Sequence, residues 1–210
     1  MIAKRMQEKG ILVNLLEKGI RILLIKSCKK IRILKIDIVS STTQIIKGEI
    51  QKINIIAEDI NYKDLFFDKF QLEANQLKIN LSLTNKELYF QNSPIINFKI
   101  SLSENSLRKV LLSNSWNWIG NMISKEILNQ EKLDDIKIKS SQLLMRASGK
   151  SRNINQGEEI NIKTEKGRVF FENKSCNKIV QIPIEDKIYI ENINIENNLI
   201  TISANSSISF

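Results

Sequence analysis

Apolar and polar residues alternate along most of this chain, and a period of two is the pattern of a β-strand with one buried face. The clearest runs in the first half cover residues 31–39, 44–62 and 70–83. In both long runs the apolar positions change parity midway, which predicts a bulge or a strong bend in each strand. The polar turn Asn61-Tyr62-Lys63-Asp64 separates them, so we expect two neighbouring strands of a strongly curved sheet.

The pattern changes to helical spacing over residues 103–130, after shorter strand patterns at 88–91 and 95–102. Ser103 is expected to cap this helix, because a serine hydroxyl can accept a hydrogen bond from a free N–H group of the first turn. Glu104 then lies where the helix dipole favours negative charge. The apolar positions of the predicted helix are Leu107, Val110, Leu111, Trp118, Met122 and Ile123.

Strand patterns return from residue 134 to the end of the sequence, separated by short polar turns. The clearest turns are Glu165-Lys166-Gly167 and Glu196-Asn197-Asn198. Consecutive strands joined in this way are expected to pair antiparallel. The polar stretch 148–159 lacks the alternation and is expected to be a mobile loop.

The N-terminal residues 1–30 are predicted to form a basic amphipathic helix, followed by a single domain over residues 31–210. Glu17, Lys18 and Arg21 interrupt its apolar run, which argues against a transmembrane span and, without a small-residue cleavage site, against a secretory signal. Two arrangements are open. The helix either lies on an anionic membrane or packs its apolar stripe against the domain.

Charge is concentrated in the same segment. The 210-residue chain has a net charge of +9, and residues 1–35 hold ten basic and two acidic residues. Because these basic residues alternate with large aliphatic ones, they suit lipid headgroups better than a nucleic-acid backbone, and nucleic acid is not the expected partner. The predicted contacts to an anionic membrane surface are Lys18, Arg21, Lys26, Lys29 and Lys30. The expected location is the cytoplasm, with peripheral attachment to an inner or thylakoid membrane.

The sequence offers little for catalysis. It has no histidine, which excludes Ser-His-Asp and Cys-His nucleophilic catalysis and removes the commonest metal ligand. Its glycines are isolated, so no phosphate-binding loop is present. We therefore expect no enzymatic activity, no cofactor and no metal. Cys28 and Cys176 are expected to be reduced thiols, with a disulfide between them as the alternative.

Aromatic residues mark the best candidates for contact with an apolar ligand. Trp116 and Trp118 lie two positions apart on the predicted helix, about 200° around its axis, so one is expected in the core and the other at the surface. Phe66 and Phe67 are adjacent at the corner after the turn, so one ring is expected to point outward. The predicted lipid-binding residues are Phe66, Phe67, Leu107, Leu111, Trp116, Trp118 and Met122. In the alternative, these residues fill a core.

A family resemblance covers residues 12–130. It rests on the run LKIDIVSSTTQIIKGEIQKINIIAEDINYKDLFFDKFQLEANQLKINL, followed by ISLSENSLRKVLLSN. This stretch resembles the LmeA-like phospholipid-binding proteins, in particular those of photosynthetic bacteria. The matching elements are the glycine-centred run Lys47 to Ala57, the corner Tyr62 to Leu65, the strand Leu77 to Asn80 and the helix opening Leu102 to Leu107. Ser106 and Arg108 depart from the family pattern, which usually has Asp and Asn there.

The resemblance implies phospholipid binding on a curved antiparallel sheet packed with a helix, without enzymatic activity. The residue patterns predict a compatible α+β fold: a long curved antiparallel β-sheet packed around one central helix, with an N-terminal amphipathic helix. The expected function is non-catalytic lipid binding at a membrane, with acyl chains in an apolar groove between sheet and helix. A structural or interaction scaffold with a filled core is the alternative, and a basic nucleic-acid-associated protein is a third hypothesis.

Overall fold

Two antiparallel β-sheets and four helices make up the part of the chain that the computed structural model describes, residues 10–82, 87–148 and 157–207. The predicted α+β class is therefore confirmed. The helices are α1 (Ile11–Ser27), α2 (Thr42–Ile46), α3 (Glu104–Leu112) and α4 (Asn117–Leu128). The strands are β1 (Lys30–Val39), β2 (Glu49–Tyr62), β3 (Leu65–Ser82), β4 (Glu87–Phe90), β5 (Ile95–Ser103), β6 (Leu133–Lys139), β7 (Gln142–Ala147), β8 (Glu158–Glu165), β9 (Arg168–Asn173), β10 (Lys178–Ile182), β11 (Ile188–Glu196) and β12 (Leu199–Ser207).

The first sheet combines strands from both ends of the chain. Its order is β1-β2-β3-β5-β12-β11, and β4 pairs with the last residues of β3. The second sheet has the order β10-β9-β8-β7-β6 and consists only of consecutive strands. The structure therefore has two sheets where one long sheet was predicted. Local turn signals specify which strands pair as hairpins, but they do not specify the sheet that each hairpin joins.

Three two-residue hairpin turns explain the antiparallel pairing of β2 with β3, β8 with β9 and β11 with β12. Each has two successive residues with positive φ: Lys63 and Asp64 at 49° and 65°, Lys166 and Gly167 at 49° and 77°, and Asn197 and Asn198 at 51° and 59°. Positive φ at both central positions defines a type I′ turn, whose twist matches that of the flanking strands. All three turns were predicted from their polar sequences, and the antiparallel pairing is confirmed.

The predicted changes of face in β2 and β3 are also confirmed. Along β2 the buried side chains are Ile50, Ile53, Ile55, Ala57 and Ile60, so the parity changes twice. The β2–β3 ladder keeps one register throughout. Single residues in the left-handed region lie at the changes instead, with φ of 53° at both Asp59 and Gln76. A one-residue bulge is therefore not the cause, and the predicted curvature of the sheet stays a prediction.

The single helix predicted over residues 103–130 is two helices. Ser103 caps α3 as predicted, because its hydroxyl oxygen accepts a hydrogen bond from Ser106 N–H. The helix ends at Leu112 because Ser113 turns to an extended conformation and its hydroxyl bonds locally, donating to Val110 O and accepting from Trp116 N–H. Serine hydroxyls compete in this way with helical hydrogen bonding.

Other element boundaries also differ from the sequence predictions. The run predicted as a strand from residue 44 begins in helix α2, which Ser41 caps in a reciprocal box with Gln44. Strand β7 lies within the segment predicted to be strand-forming, but no separate run was identified for it. Two predicted segments lie partly outside the described residues. These are residues 149–156 of the predicted mobile loop and the first nine residues of the predicted N-terminal helix. Among the helices of the described ranges, none has both the length and the apolar content needed to cross a bilayer.

Two separate hydrophobic cores hold these elements together. The α1 core comprises Val13, Ile36, Ile38, Ile50, Ile53, Ile55, Ala74 and Leu77 and joins α1 to one end of the first sheet. The larger α3–α4 core joins α3 and α4 to the second sheet and to β5, β11 and β12. Its fully buried side chains include Ile123, Ile136, Leu143, Met145 and Ile160, each of which stabilises the fold by about 1.5–3 kcal/mol through burial.

Helix α1 also covers the edge of the first sheet. Glu17 Oε1 accepts a hydrogen bond from Ile38 N–H at 2.9 Å, and Arg21 Nη1 donates to Leu34 O at 2.8 Å. These side chains are four residues apart on one helical face and satisfy backbone groups of the edge strand β1. Capping the edge in this way protects it from pairing with another chain.

Candidate functional site: an apolar groove between the two cores

An apolar groove of about 400 Å³ lies on one face of the first sheet, beside the C-terminal end of α1. Twelve of its fourteen lining residues have hydrocarbon side chains, and nine of those twelve are only half-buried. The lining residues are Leu24, Cys28, Ile31, Leu34, Ile55, Ala57, Ile60, Tyr62, Leu65, Phe67, Phe70, Leu72, Phe98 and Ile100.

The groove is built from side chains that neighbour one another across paired strands. One cross-strand row is Ile31, Ile60 and Phe67, on β1, β2 and β3. A second row is Leu34, Ala57, Phe70 and Ile100, which extends to β5, and a third is Ile55, Leu72 and Phe98. Because directly paired residues point to the same face, three such rows produce a continuous apolar surface four strands wide.

This surface lies between the α1 core and the α3–α4 core. Leu24, Leu34 and Leu72 pack against the α1 core, whereas Phe67, Phe98 and Ile100 pack against the α3–α4 core. The central residues Ile31, Ala57, Ile60, Leu65 and Phe70 belong to neither core. The groove is therefore the part of the apolar sheet face that neither α1 nor the α3–α4 core covers.

One end of the groove is fixed by the turn between β2 and β3. Asp64 Oδ1 accepts a hydrogen bond from Lys29 Nζ at 2.7 Å, and Asp64 Oδ2 accepts one from Ser115 Oγ at 2.8 Å. These bonds hold the pKa of Asp64 below its usual value, Lys29 contributing more than Ser115. Trp116 Nε1 donates to Lys63 O at 2.8 Å. The turn is thus tied both to the α1–β1 junction and to the α3–α4 connection.

The thiol of Cys28 is part of the groove lining. Burial raises the pKa of this thiol above its usual value, so it stays neutral and suits an apolar surface. Cys176 is exposed in the turn between β9 and β10, and both cysteines are free thiols in the structure. The predicted reduced state therefore matches the structure, and the alternative disulfide is not formed.

The predicted lipid-binding residues are distributed over several places. Of the seven, Phe67 lines the groove. Leu107 and Leu111 are buried in the α3–α4 core, and Met122 packs against it.

The other three aromatic residues predicted to bind lipid do not line the groove. The Phe66 ring lies 5.5 Å from Lys109 Nζ, and Trp116 is the half-buried residue that bonds the β2–β3 turn. Trp118 is 43% exposed and borders a shallow hollow together with Asn121 and Lys125. The structure thus places one tryptophan inward and the other outward, and it brings neither into the groove.

The predicted membrane-contact residues also differ in their surroundings. Lys29 is paired with Asp64, and Lys30 with Asp59 at 2.5 Å. The hydrogen bond from Lys30 is the main cause that lowers the pKa of Asp59. Arg21 is exposed and bonds Leu34 O, while Lys18 and Lys26 have no ion-pair partner among the residues that the structure describes.

The described part of the chain contains no cluster of three or more histidine, cysteine or carboxylate side chains suited to a metal ion. In comparisons with known proteins, no family model, no curated protein and no solved structure matches this chain. The resemblance to LmeA-like proteins therefore stays an expectation from the sequence.

Proposed function

We propose that this chain is a non-catalytic binding protein that holds an acyl chain of a phospholipid or another amphipathic lipid. The observation that supports the proposal is the groove itself: about 400 Å³ lined by twelve hydrocarbon side chains, most of them half-exposed between two cores. Leaving so much contiguous apolar surface uncovered is unfavourable at about 25 cal/mol per Å², and an apolar ligand would remove it from water.

The chemistry of the groove lining favours a hydrocarbon chain over a polar metabolite. Binding sites for small polar molecules place several polar groups among their apolar lining. Here only the Cys28 thiol and the Tyr62 hydroxyl depart from hydrocarbon, and no carboxylate, ammonium or guanidinium group is among the lining residues. A flexible hydrocarbon chain needs no hydrogen-bond partner and can lie across the three cross-strand rows.

A direct test is native mass spectrometry of the purified full-length chain, followed by extraction and titration with oleate. We expect one bound lipid per chain before extraction, and saturable one-to-one displacement of the neutral dye 1-aminoanthracene by oleate afterwards. A ligand efficiency of about 0.3 kcal/mol per heavy atom gives roughly tens of micromolar affinity for ~20 atoms. A scaffold without a ligand cavity, the alternative function, would show neither bound lipid nor saturable displacement.

The outer face of α1 supports a second part of the proposal, peripheral attachment to an anionic membrane. Five large aliphatic side chains on this helix are between 53% and 85% exposed: Ile11, Leu15, Ile22, Leu23 and Ile25. The inner face of α1 meanwhile packs on the α1 core through Val13, Leu16, Ile20 and Leu24. The two arrangements considered for the helix are thus compatible, since one face packs and the other is free.

Charge makes an anionic bilayer a better partner for this face than a second copy of the same helix. Lys18, Arg21 and Lys26 flank the exposed aliphatic residues. Glu17 is the only acidic residue of α1, and its carboxylate accepts a hydrogen bond from Ile38 N–H. Two such faces would bring like charges together, whereas anionic headgroups attract each lysine or arginine by about 1 kcal/mol.

Sedimentation with vesicles tests this attachment separately from the groove. We expect the wild type to bind phosphatidylglycerol vesicles and to bind phosphatidylcholine vesicles weakly. The double variant Leu15→Glu, Ile22→Glu should lose at least about a hundredfold in partitioning, because each lost aliphatic contact is worth roughly 1.5–3 kcal/mol. Ile179→Glu is the control, since Ile179 is 53% exposed on β10 of the other sheet. Equal sedimentation of the double variant and the wild type would refute attachment through α1.

A further inference from the structure

The surface of the groove is apolar throughout, and the two lining residues whose side chains contain a heteroatom lie at one end. The only lining residues with a heteroatom in the side chain are Cys28 and Tyr62. Both lie beside the β2–β3 turn, since Tyr62 precedes it and Lys29 N–H, next to Cys28, donates to Asn61 O at 2.8 Å. Tyr62 is also 38% exposed, so the groove meets solvent at this end.

The opposite end is lined by hydrocarbon side chains and borders the α1 core. The last groove row, Ile55, Leu72 and Phe98, adjoins the row that contains Ile53 and Ala74. Ile53 and Ala74 are buried in the α1 core, under the first turns of α1. Burying a charged head against that core without a partner is costly, so we expect an amphiphile to place its hydrocarbon end there and its head at the turn.

An uncompensated cation lies at the open end. Lys63 Nζ is 5.4 Å from the centroid of the Tyr62 ring, and within residues 10–82, 87–148 and 157–207 it has no carboxylate in ion-pair distance. The neighbouring cations differ, since Lys29 is neutralised by Asp64 and Lys30 by Asp59. A single free ammonium group beside a phenol is complementary to a head with one negative charge.

We infer that the groove selects a single-chain amphiphile with an anionic head, which Lys63 and Tyr62 hold at the β2–β3 turn. This inference rests on the proposed function and specifies its ligand. One chain rather than two follows from the volume of about 400 Å³, near the lower end of the ~300–1,000 Å³ typical of ligand pockets. The shared chemistry of the head is a monoanionic carboxylate or phosphate diester on an aliphatic chain.

The test compares three ligands of equal chain length in dye displacement: oleate, oleoyl-lysophosphatidylglycerol and oleyl alcohol. Lys63→Asn removes the charge and suits the turn, because asparagine tolerates the positive φ of 49° at this position. Lys166→Asn is the matched control, since Lys166 has the same φ of 49° in the β8–β9 turn. Tyr62→Phe removes only the phenol hydroxyl.

We expect at least one anionic ligand to bind wild type and Lys166→Asn about fivefold more tightly than the alcohol, and Lys63→Asn to abolish that preference. A carboxylate preference would identify a free fatty acid, and a phosphate preference a lysophospholipid. Equal binding of all three ligands to the wild type, or an unchanged preference in Lys63→Asn, would overturn the head assignment while the groove function stands. Binding of none of them would refute both.

Discussion

Filling the groove with the substitution Ala57→Phe is expected to abolish lipid binding without destabilising the protein. Ala57 lies in the middle of the second cross-strand row, between Leu34 on β1 and Phe70 on β3. Its methyl group is part of the groove lining and belongs to neither core. A phenyl ring at this position would occupy the space that we assign to the acyl chain, and oleate affinity should fall by at least about a hundredfold.

The stability of this variant tests the groove independently of any ligand. If the groove is empty in the free protein, the new ring buries apolar surface against Leu24, Leu34 and Phe70, and the free energy of unfolding should rise by about 1 kcal/mol. If the space were already filled by side chains, the same substitution would overpack the site and cost about 1–3 kcal/mol. The second outcome is the one that a filled-core scaffold predicts.

The substitution Ala74→Phe is the matched control. Ala74 is on β3 and is 2% exposed, close to the 4% of Ala57, but it belongs to the α1 core and does not line the groove. We expect this variant to lose about 1–3 kcal/mol of unfolding free energy in urea denaturation, because its ring has no space to enter. A comparable loss in Ala57→Phe would show that the groove is not a binding space, whatever the titration reports.

Local signals explain why much of the fold could be predicted from the sequence. The turns at Lys63-Asp64, Lys166-Gly167 and Asn197-Asn198 contain residue types that tolerate or favour positive φ, and each fixes an antiparallel hairpin. The Ser103 cap could be predicted for the same reason, because its hydroxyl bonds a backbone N–H group only three residues away. The break between α3 and α4 could also have been predicted. The cluster Ser113-Asn114-Ser115 favours hydrogen bonds from side chain to backbone over helical hydrogen bonds.

Such local signals could not predict which strands belong to which of the two sheets. β12 pairs with β5, although two helices and six strands separate them in sequence. Ile200 and Ile202 look no different in pattern from Ile160 and Ile162, which lie in the other sheet. Alternation reports that a strand has one apolar face, but the partner of that face is decided by long-range packing.

The groove could not be located for a related reason. Residues such as Leu34, Ala57 and Phe70 follow the same alternation as core residues, so the sequence marks them as buried. A helix about 10 Å wide covers only about two strands spaced ~4.8 Å apart, whereas the apolar rows here cross four. Which part of the face stays uncovered depends on where α1 docks. The predicted ligand residues instead followed the helix aromatics, and Phe67 is the one residue shared with the groove.

Replacing Gly48 with alanine is expected to be the most destabilising small substitution among the glycines that adjoin the first sheet. Gly48 links α2 to β2 with φ of 73°, a conformation that costs an alanine about 1–2 kcal/mol. A Cβ atom there would lie 2.0 Å from Ile79 O, which is backbone and cannot rotate away. The chain would have to separate from β3 and weaken the 2.8 Å bond from Ile79 N–H to Gly48 O.

The combined strain, clash and weakened hydrogen bond should lower the free energy of unfolding by about 3–5 kcal/mol, a large part of the roughly 5–15 kcal/mol that holds a domain folded. Urea denaturation of Gly48→Ala measures this loss. Gly19→Ala is the control: Gly19 is within α1, and a Cβ there meets nothing within 4 Å. Helix propensity alone should make that variant about 0.5–1 kcal/mol more stable. If Gly48→Ala unfolds within about 0.5 kcal/mol of wild type, the left-handed link at Gly48 and its contact with β3 are not features of the folded protein.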